Sequence, residues 1–173
     1  MKPETVHTVV FSPTGTSKKI AAAVARRIAS AAGTAASVPL KTIDLTHSAG
    51  QPATLPADTV AVIAAPVYGG RVAPTAVKRL ERSGAKALPP SSSPFTATGL
   101  SKRPSRSWPD WPRAHGFVPV AAGLSSGSIR TAPPTPVAAG RPDAQDLAEA
   151  EAFGAAVREN SPPETSRRSM PPG

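Results

Sequence analysis

The sequence contains no cysteine and no long apolar run. Without cysteine the chain forms no disulfide, thiolate zinc site, iron–sulfur cluster or cysteine nucleophile. No stretch reaches the roughly eighteen apolar residues of a membrane span, and the N-terminus lacks the basic and apolar regions of a signal peptide. We therefore expect a cytoplasmic protein with no membrane association, in which redox chemistry would depend on a bound organic cofactor.

Acidic residues are scarce relative to basic ones. The chain has 20 Lys and Arg against 11 Asp and Glu, which gives a net charge of +9. A basic surface attracts nucleic acids and anionic membranes without requiring a particular fold. Four of the nine net charges, however, fall in three proline-rich stretches, residues 90–112, 124–135 and 161–173. We therefore expect no specific nucleic-acid partner.

Strand and helix patterns alternate along the chain and predict one α/β domain over residues 1–160. The length of 173 residues suits a single core. The predicted strands are Thr8–Phe11, Ser37–Leu45, Thr59–Ala65 and Phe117–Ala121. The predicted helices are Ile20–Ala32, Ala73–Arg82 and Pro142–Glu159. Because this alternation is typical of parallel sheets, we predict a doubly wound sheet in three α/β/α layers.

Individual residues refine this prediction. Gly33 is expected to cap the first helix, and Pro119 indicates that the last strand lies at a sheet edge or that it ends there. The histidines lie in unrelated parts of the sequence, so we interpret them as surface residues and not as bases or ligands: His7, His47 and His115.

A polar loop joins the first predicted strand to the first predicted helix. Backbone N–H groups and the positive end of the helix dipole converge at such a loop. Four hydroxyl-bearing residues surround Gly15 without any acidic neighbour: Ser12, Thr14, Thr16 and Ser17. The segment matches neither GxGxxG nor GxxxxGK[ST]. It predicts a phosphate site of another kind, although a hydroxyl-rich helix cap without a ligand would also explain these residues.

Two loops and the last helix resemble those of a known family. FSPTGTSKKIA resembles the FMN phosphate loop of flavodoxins, whose pattern is Ser/Thr-x-Thr-Gly-x-Thr/Ser. APVYGGRVAP and GRPDAQDLAEAEAFG resemble the flavodoxin domain of bacterial flavodoxin–ferredoxin fusions. The resemblance implies a flavodoxin-like fold, FMN as cofactor, electron transfer as function and redox proteins as partners. It implies that the phosphate is bound by Ser12, Thr14, Gly15, Thr16 and Ser17.

The same resemblance implies a second flavin contact after the third predicted strand. The isoalloxazine ring would be bordered by Pro66, Val67, Tyr68, Gly69 and Gly70. Tyr68 is the side chain of this loop able to cover a flavin face, with ordinary packing at a strand end as the alternative. Gly69 or Gly70 would let a backbone carbonyl approach the flavin N5 because neither has a Cβ.

Residues 90–112 depart from the flavodoxin pattern. A fourth strand, a third flavin loop and a helix belong there, but half of the 22 prolines fall in the three proline-rich stretches. We therefore predict an irregular middle without a strand and a disordered tail at 161–173.

A reading-frame error accounts for all three stretches. A one-base shift converts 90–112 to AVVVAVYGNRAFEKALAELAGLA, 124–135 to AFIGEHSYSTAD and 160–172 to LAAGDVAAVDAAG. These restore a buried strand, a YGNR flavin loop and helical segments. On this hypothesis the written chain lacks a central strand, a flavin loop and a following ferredoxin domain, and should fold poorly and bind FMN weakly.

Three other functions remain open at the level of sequence. The chain could be an FMN-dependent oxidoreductase acting on a small molecule, although no substrate pocket is evident. It could be a basic, non-enzymatic binding protein with a proline-rich middle, or the non-functional product of a frameshifted gene.

Overall fold

Strands and helices alternate along the chain in the structure of the protein, a computed structural model. It describes residues 4–30, 38–47, 54–56, 59–68, 71–83, 86–87, 93–99, 112, 114–124 and 140–159. The strands are β1 (Thr5–Val10), β2 (Leu40–Asp44), β3 (Thr54–Leu55), β4 (Thr59–Ala65), β5 (Val67–Tyr68), β6 (Arg71–Val72), β7 (Lys86–Ala87), β8 (Ser93–Gly99) and β9 (Phe117–Leu124). The helices are α1 (Thr16–Ala29), α2 (Pro74–Arg82) and α3 (Ala144–Glu159).

Five of the strands form one parallel sheet in the order β2-β1-β4-β8-β9. The chain goes outward from β1 to β2, then crosses to the other side of β1 and continues through β4, β8 and β9. This is the doubly wound order, which places a switch point between β1 and β4. Two short pairs lie apart from it, β3 with β7 and β5 with β6. The predicted fold class is confirmed.

Strands β1 and β4 occupy the buried middle of this sheet. Every residue of β4 is buried, and so is β1 from Val6 to Val10. Strand β1 pairs with β2 on one side and with β4 on the other, so its backbone groups are hydrogen-bonded within the sheet. The apolar run Thr59–Ala65 is therefore a strand buried on both faces, as the sequence predicted.

Helices cover both faces of the sheet. On one face α1 and α3 pack against alternate residues of β1 and β4, in a cluster that includes Val10, Val62, Ile28 and Val157. On the other face α2 packs against the intervening residues, in a cluster that includes Val9, Ile63, Ala76 and Leu80. The sheet lies between these helices, which confirms the three predicted layers.

The two helices on the first face approach each other closely at Gly154 of α3. A Cβ placed there would lie 2.7 Å from the carbonyl oxygen of Val24 and 3.0 Å from the Cβ of Arg27. Contacts this short are not tolerated by backbone atoms, so a glycine is required for α3 to pack against α1 at this distance.

The prediction that the proline-rich middle contains no strand is wrong at β8. This strand pairs in parallel with β4 from Ala61↔Phe95 to Ala65↔Gly99, and with β9 along its other side. Pro94 precedes the residues that pair with β4, so its missing N–H interrupts no bond on that side. Backbone pairing with two neighbours supplies the fourth strand in a segment without an aliphatic pattern.

The ends of several elements differ from the predicted ones by a few residues. Helix α1 begins at Thr16 instead of Ile20 and ends at Ala29, and Gly33 lies outside the described residues. Strand β9 is the last strand of the sheet, so the edge position predicted from Pro119 is confirmed. The stretches at 124–135 and 161–173 lie, apart from Leu124, outside the described residues. Among the described helices, none is long and apolar enough to span a bilayer.

A reciprocal cap begins α3 within the segment GRPDAQDL. The backbone N–H of Asp146 donates to Asp143 Oδ1, and the N–H of Asp143 donates to Asp146 Oδ2, each at 2.9 Å. Arg141 donates two further hydrogen bonds of 2.8 Å to the buried Asp146 carboxylate. The N–H of Asp146 in the first turn and the N–H of Asp143, which precedes the helix, thus have side-chain partners that fix where α3 starts.

Candidate functional site

The loop from Ser12 to Ser17 turns the chain from the carboxyl end of β1 into α1. Gly15 has a φ of 79°, in the left-handed region that glycine adopts without strain. Its N–H donates to the carbonyl oxygen of Ser12 at 3.0 Å, and its own carbonyl accepts from the N–H of Lys19 at 3.1 Å. Gly15 therefore both closes the turn and begins the helix.

Ser12 is buried, and its hydroxyl caps the first turn of the helix. Its Oγ accepts a hydrogen bond of 3.1 Å from the N–H of Lys18. A hydroxyl donates as well as accepts, so the Ser12 hydrogen is still available to an anion. The helix-cap alternative is therefore correct for the Ser12 oxygen and compatible with phosphate binding by its hydrogen.

The rest of the loop presents hydrogen-bond donors. Among the described residues, no acceptor is found for the backbone N–H groups of Thr14, Thr16 and Ser17, or for the Ser17 hydroxyl. Thr14 and Thr16 are joined through their hydroxyls at 3.2 Å. The first turn of α1 contains no acidic residue. Free amides, hydroxyls and a helix N-terminus at one place can bind a phosphate group.

The second predicted loop begins directly beside the first. The N–H of Phe11 donates to the carbonyl oxygen of Ala64 at 3.0 Å, so the ends of β1 and β4 are adjacent. Pro66 is buried, and its carbonyl accepts from the N–H of Ala73 at 3.0 Å. Val67 is partly buried and packs against the core. Gly69 and Gly70 lie outside the described residues.

Tyr68 is the exposed aromatic residue of this second loop. It pairs with Arg71 across the β5–β6 hairpin, and 48% of its surface is accessible. An aromatic side chain with this exposure is able to cover a planar ligand.

A third loop, after β2, also meets the first and was not predicted from the sequence. The hydroxyl oxygen of Thr46 accepts a hydrogen bond of 3.0 Å from the N–H of Ser12. Arg79 of α2 donates to the carbonyl oxygen of Leu45 at 2.6 Å and to that of Thr46, and its guanidinium lies 5.4 Å from the centre of the Phe11 ring. The feature of the sequence that could have indicated this contact is Thr46, a residue with a hydroxyl two positions after the end of β2, the neighbour of β1.

Asp44, the last residue of β2, connects this third loop to α1. Its carboxylate accepts from Lys18 Nζ at 2.8 Å and from the N–H of Thr46 at 2.9 Å. Desolvation acts to raise the pKa of Asp44, but hydrogen bonds from Lys18 and Thr46 and the Lys18 charge outweigh it and lower the pKa to about 2. The carboxylate is therefore ionised throughout the physiological range.

The interpretation of His7 as a surface residue is wrong. His7 lies in β1 between Lys41 of β2 and Ala61 of β4, with 8% of its surface exposed. Within the described part of the chain, its Nδ1 has no hydrogen-bond partner. Burial lowers the pKa of His7, and the charge of Lys41 lowers it further. His47 is exposed and His115 is partly buried.

Solved structures share the architecture of this chain. A flavodoxin from the domain Archaea aligns over 90% of this chain and 96% of its own length, with a TM-score of 0.52 and 14% identity. The metal-soaked Flv1 flavodiiron core from Synechocystis aligns over 91% of this chain but 36% of its own length, with a TM-score of 0.51 and 16% identity. No protein-family model and no curated protein matches the sequence. Strand order, layers and these likenesses together show that the chain has a flavodoxin-like fold.

Proposed function

We propose that this chain binds FMN and carries electrons on it between redox partner proteins in the cytoplasm. The observation that carries the proposal is the loop Ser12–Ser17 at a helix N-terminus, whose first turn contains no acidic side chain. Three of its amides and the Ser17 hydroxyl have no acceptor among the described residues. FMN carries a terminal phosphate monoester, which riboflavin lacks, and it therefore requires such an anion site. The archaeal flavodoxin that shares this fold supports the assignment.

The phosphate would be held by the loop's own groups. The amides of Thr14, Thr16 and Ser17 and the Ser17 hydroxyl are available as donors among the described residues. The Ser12 hydroxyl can donate its hydrogen while its oxygen caps the helix. These fixed dipoles compensate phosphate charge without a basic side chain, because the N-terminal helix dipole adds positive potential at the same place.

The flavin ring would lie beside the second loop, Pro66 to Gly70. Bound FMN would supply the one- and two-electron chemistry, which the protein's residues themselves lack. Tyr68 is exposed beside the switch point between β1 and β4, where open parallel sheets bind their ligands. Its ring would cover one face of the flavin and limit access of water to it.

A flavin titration tests the phosphate site directly. Apoprotein is titrated with FMN and with riboflavin, which lacks the phosphate, while flavin fluorescence is recorded. We expect FMN to bind at least tenfold more tightly, equivalent to about 1.4 kcal/mol from the phosphate contacts. Ser17→Ala should remove most of one hydroxyl contact and weaken FMN binding severalfold without affecting riboflavin.

Ser30→Ala provides the matched control for this titration. Ser30 lies at the opposite end of α1, where its hydroxyl donates to the carbonyl of Arg27. This variant should bind both flavins as the wild type does. Equal wild-type affinities for FMN and riboflavin would refute the phosphate site. Salt-dependent DNA binding without flavin binding would favour a basic binding protein instead.

We also propose that the chain derives from a flavodoxin–ferredoxin fusion and that residues 90–112, 124–135 and 160–172 are read out of frame. The support is the shared one-base offset that restores family-like sequence in all three stretches. Resequencing the coding DNA beyond Ala85 should restore YGNR and continue into a cysteine-rich segment. An uninterrupted frame with codons unsuited to those conversions would refute this origin and leave the FMN proposal to the titration.

A further inference from the structure

A closed ring of hydrogen bonds connects the phosphate loop to the end of β2. The N–H of Ser12 donates to Thr46 Oγ1 at 3.0 Å, and the N–H of Thr46 donates to Asp44 at 2.9 Å. Lys18 Nζ donates to the other Asp44 carboxylate oxygen at 2.8 Å. The backbone N–H of Lys18 donates to Ser12 Oγ at 3.1 Å, which closes the ring. The ring thus joins the residue that begins the loop to the residue that follows it.

We propose that Thr46 and Asp44 are positioning residues that hold the loop in its phosphate-binding conformation. This inference rests on the proposed FMN function for its ligand. The loop's unpaired amides lie between Ser12 and Lys18, the two points that the ring holds. Because both ends of the loop are fixed, its amides point to the same place before an anion binds. Binding therefore costs less conformational entropy.

The backbone around Thr46 is itself fixed by hydrogen bonds to β1 and α2. The N–H of Leu45 donates to the carbonyl of Val10 at 2.7 Å, which continues the pairing of β1 with β2 past the strand ends. Arg79 binds the carbonyl oxygens of Leu45 and Thr46 from α2. The Thr46 hydroxyl therefore has a rigid backbone behind it, as a positioning group requires.

The Thr46 hydroxyl contacts the loop through the backbone N–H of Ser12 and does not need to touch the ligand. Its effect must therefore be specific to the phosphate end of the flavin. Loss of the Thr46 hydroxyl leaves the Ser12 N–H unpaired and frees one end of the loop. Thr46→Ser retains the hydroxyl, whereas Thr46→Val removes it and keeps the shape of the side chain.

A matched control is available on the same strand pair. Thr42 of β2 shares a hydrogen bond of 2.8 Å with Thr8 of β1 through their hydroxyls. Thr42→Val removes a threonine hydrogen bond between β1 and β2, whereas Thr46→Val removes one between the loops that follow these strands. Thr42 lies outside the ring. Any general weakening of the sheet should affect both valine variants alike.

The first measurement is the ratio of riboflavin to FMN dissociation constants in the full-length protein. We expect Thr46→Val to weaken FMN binding about tenfold and leave riboflavin within about twofold. Thr46→Ser and Thr42→Val should keep the wild-type ratio of dissociation constants. Asp44→Asn should lower this ratio severalfold because Lys18 loses its ionised partner. An equal loss of both flavins in Thr46→Val, or no loss of FMN, would overturn the inference.

Amide hydrogen exchange on the flavin-free protein separates this inference from the FMN proposal. In Thr46→Val, protection should fall at the amides of Ser12, Gly15 and Lys18 and stay unchanged in β4. If the wild type binds no FMN, the proposed function fails, yet this localised loss still supports the positioning role. Unchanged protection in the loop, or a loss spread across the sheet, would overturn it.

Discussion

Replacing Gly15 with alanine tests the backbone geometry of the loop Ser12–Ser17. With φ at 79° and ψ at −11°, an L-residue at this position takes on a left-handed conformation that costs about 1–2 kcal/mol. A Cβ there would meet nothing within 4 Å, so steric clash adds nothing to the cost. The alanine also restricts the unfolded chain, which returns about 0.4–1 kcal/mol. The expected net loss of unfolding free energy is about 1 kcal/mol.

Asparagine at the same position distinguishes conformational strain from other effects. Asparagine adopts left-handed φ more readily than alanine, so Gly15→Asn should be less destabilising than Gly15→Ala. Urea denaturation measures both, with an unchanged slope showing that the midpoint shift reports stability. An alanine variant as stable as the wild type, or an asparagine variant less stable than the alanine one, would refute the reasoning.

Three further predictions concern other parts of the molecule. Gly154→Ala should lower the unfolding free energy by about 1–3 kcal/mol in urea denaturation, because the added Cβ would lie 2.7 Å from the Val24 carbonyl oxygen. This clash outweighs the helix-propensity gain of about 1 kcal/mol, which the exposed control Ala152→Gly measures in the same helix. A variant more stable than the wild type would contradict the prediction. Burial holds the folded-state pKa of His7 below its usual value of 6.5, so the unfolded chain binds more protons and stability falls as the pH drops through and below about 6.5. His7→Val should flatten this dependence in urea denaturations at several pH values, and an unchanged slope would count against a buried neutral imidazole. Tyr68→Ala should leave stability within about 0.5 kcal/mol and weaken FMN and riboflavin equally in fluorescence titrations, whereas loss of FMN alone would show that Tyr68 does not cover the ring.

The local sequence pattern was sufficient to predict the strands β1 and β4 and the helix that follows the loop Ser12–Ser17. The apolar runs of β1 and β4 are buried on both faces in the structure, and such runs occur in few other settings. The hydroxyls around Gly15 lie between a strand and a helix, so their place at a helix N-terminus followed from chain order. The edge position of Pro119 followed from its missing N–H.

Strand β8 was not predicted because nothing in its own residues specifies it. Serine, proline and glycine are more typical of turns than of strands, and no alternation marks a buried face. Its conformation comes from β4 and β9, whose backbone groups require a partner between them. The burial of His7 has a similar origin, since β1 is central whatever residue stands at that position.

The sequence by itself determined the three helices, four of the five strands of the main sheet, and a polar loop without acidic residues between β1 and α1. These depend on neighbours along the chain, where composition and periodicity act directly. Only the tertiary structure decided that Thr46 and Asp44 hold the loop, since parallel pairing brings them to Ser12 and Lys18 across 34 and 26 positions. It also decided that Gly154 must lack a side chain, because that depends on how closely α3 approaches α1. Contacts between distant residues are set by packing, which no local pattern encodes.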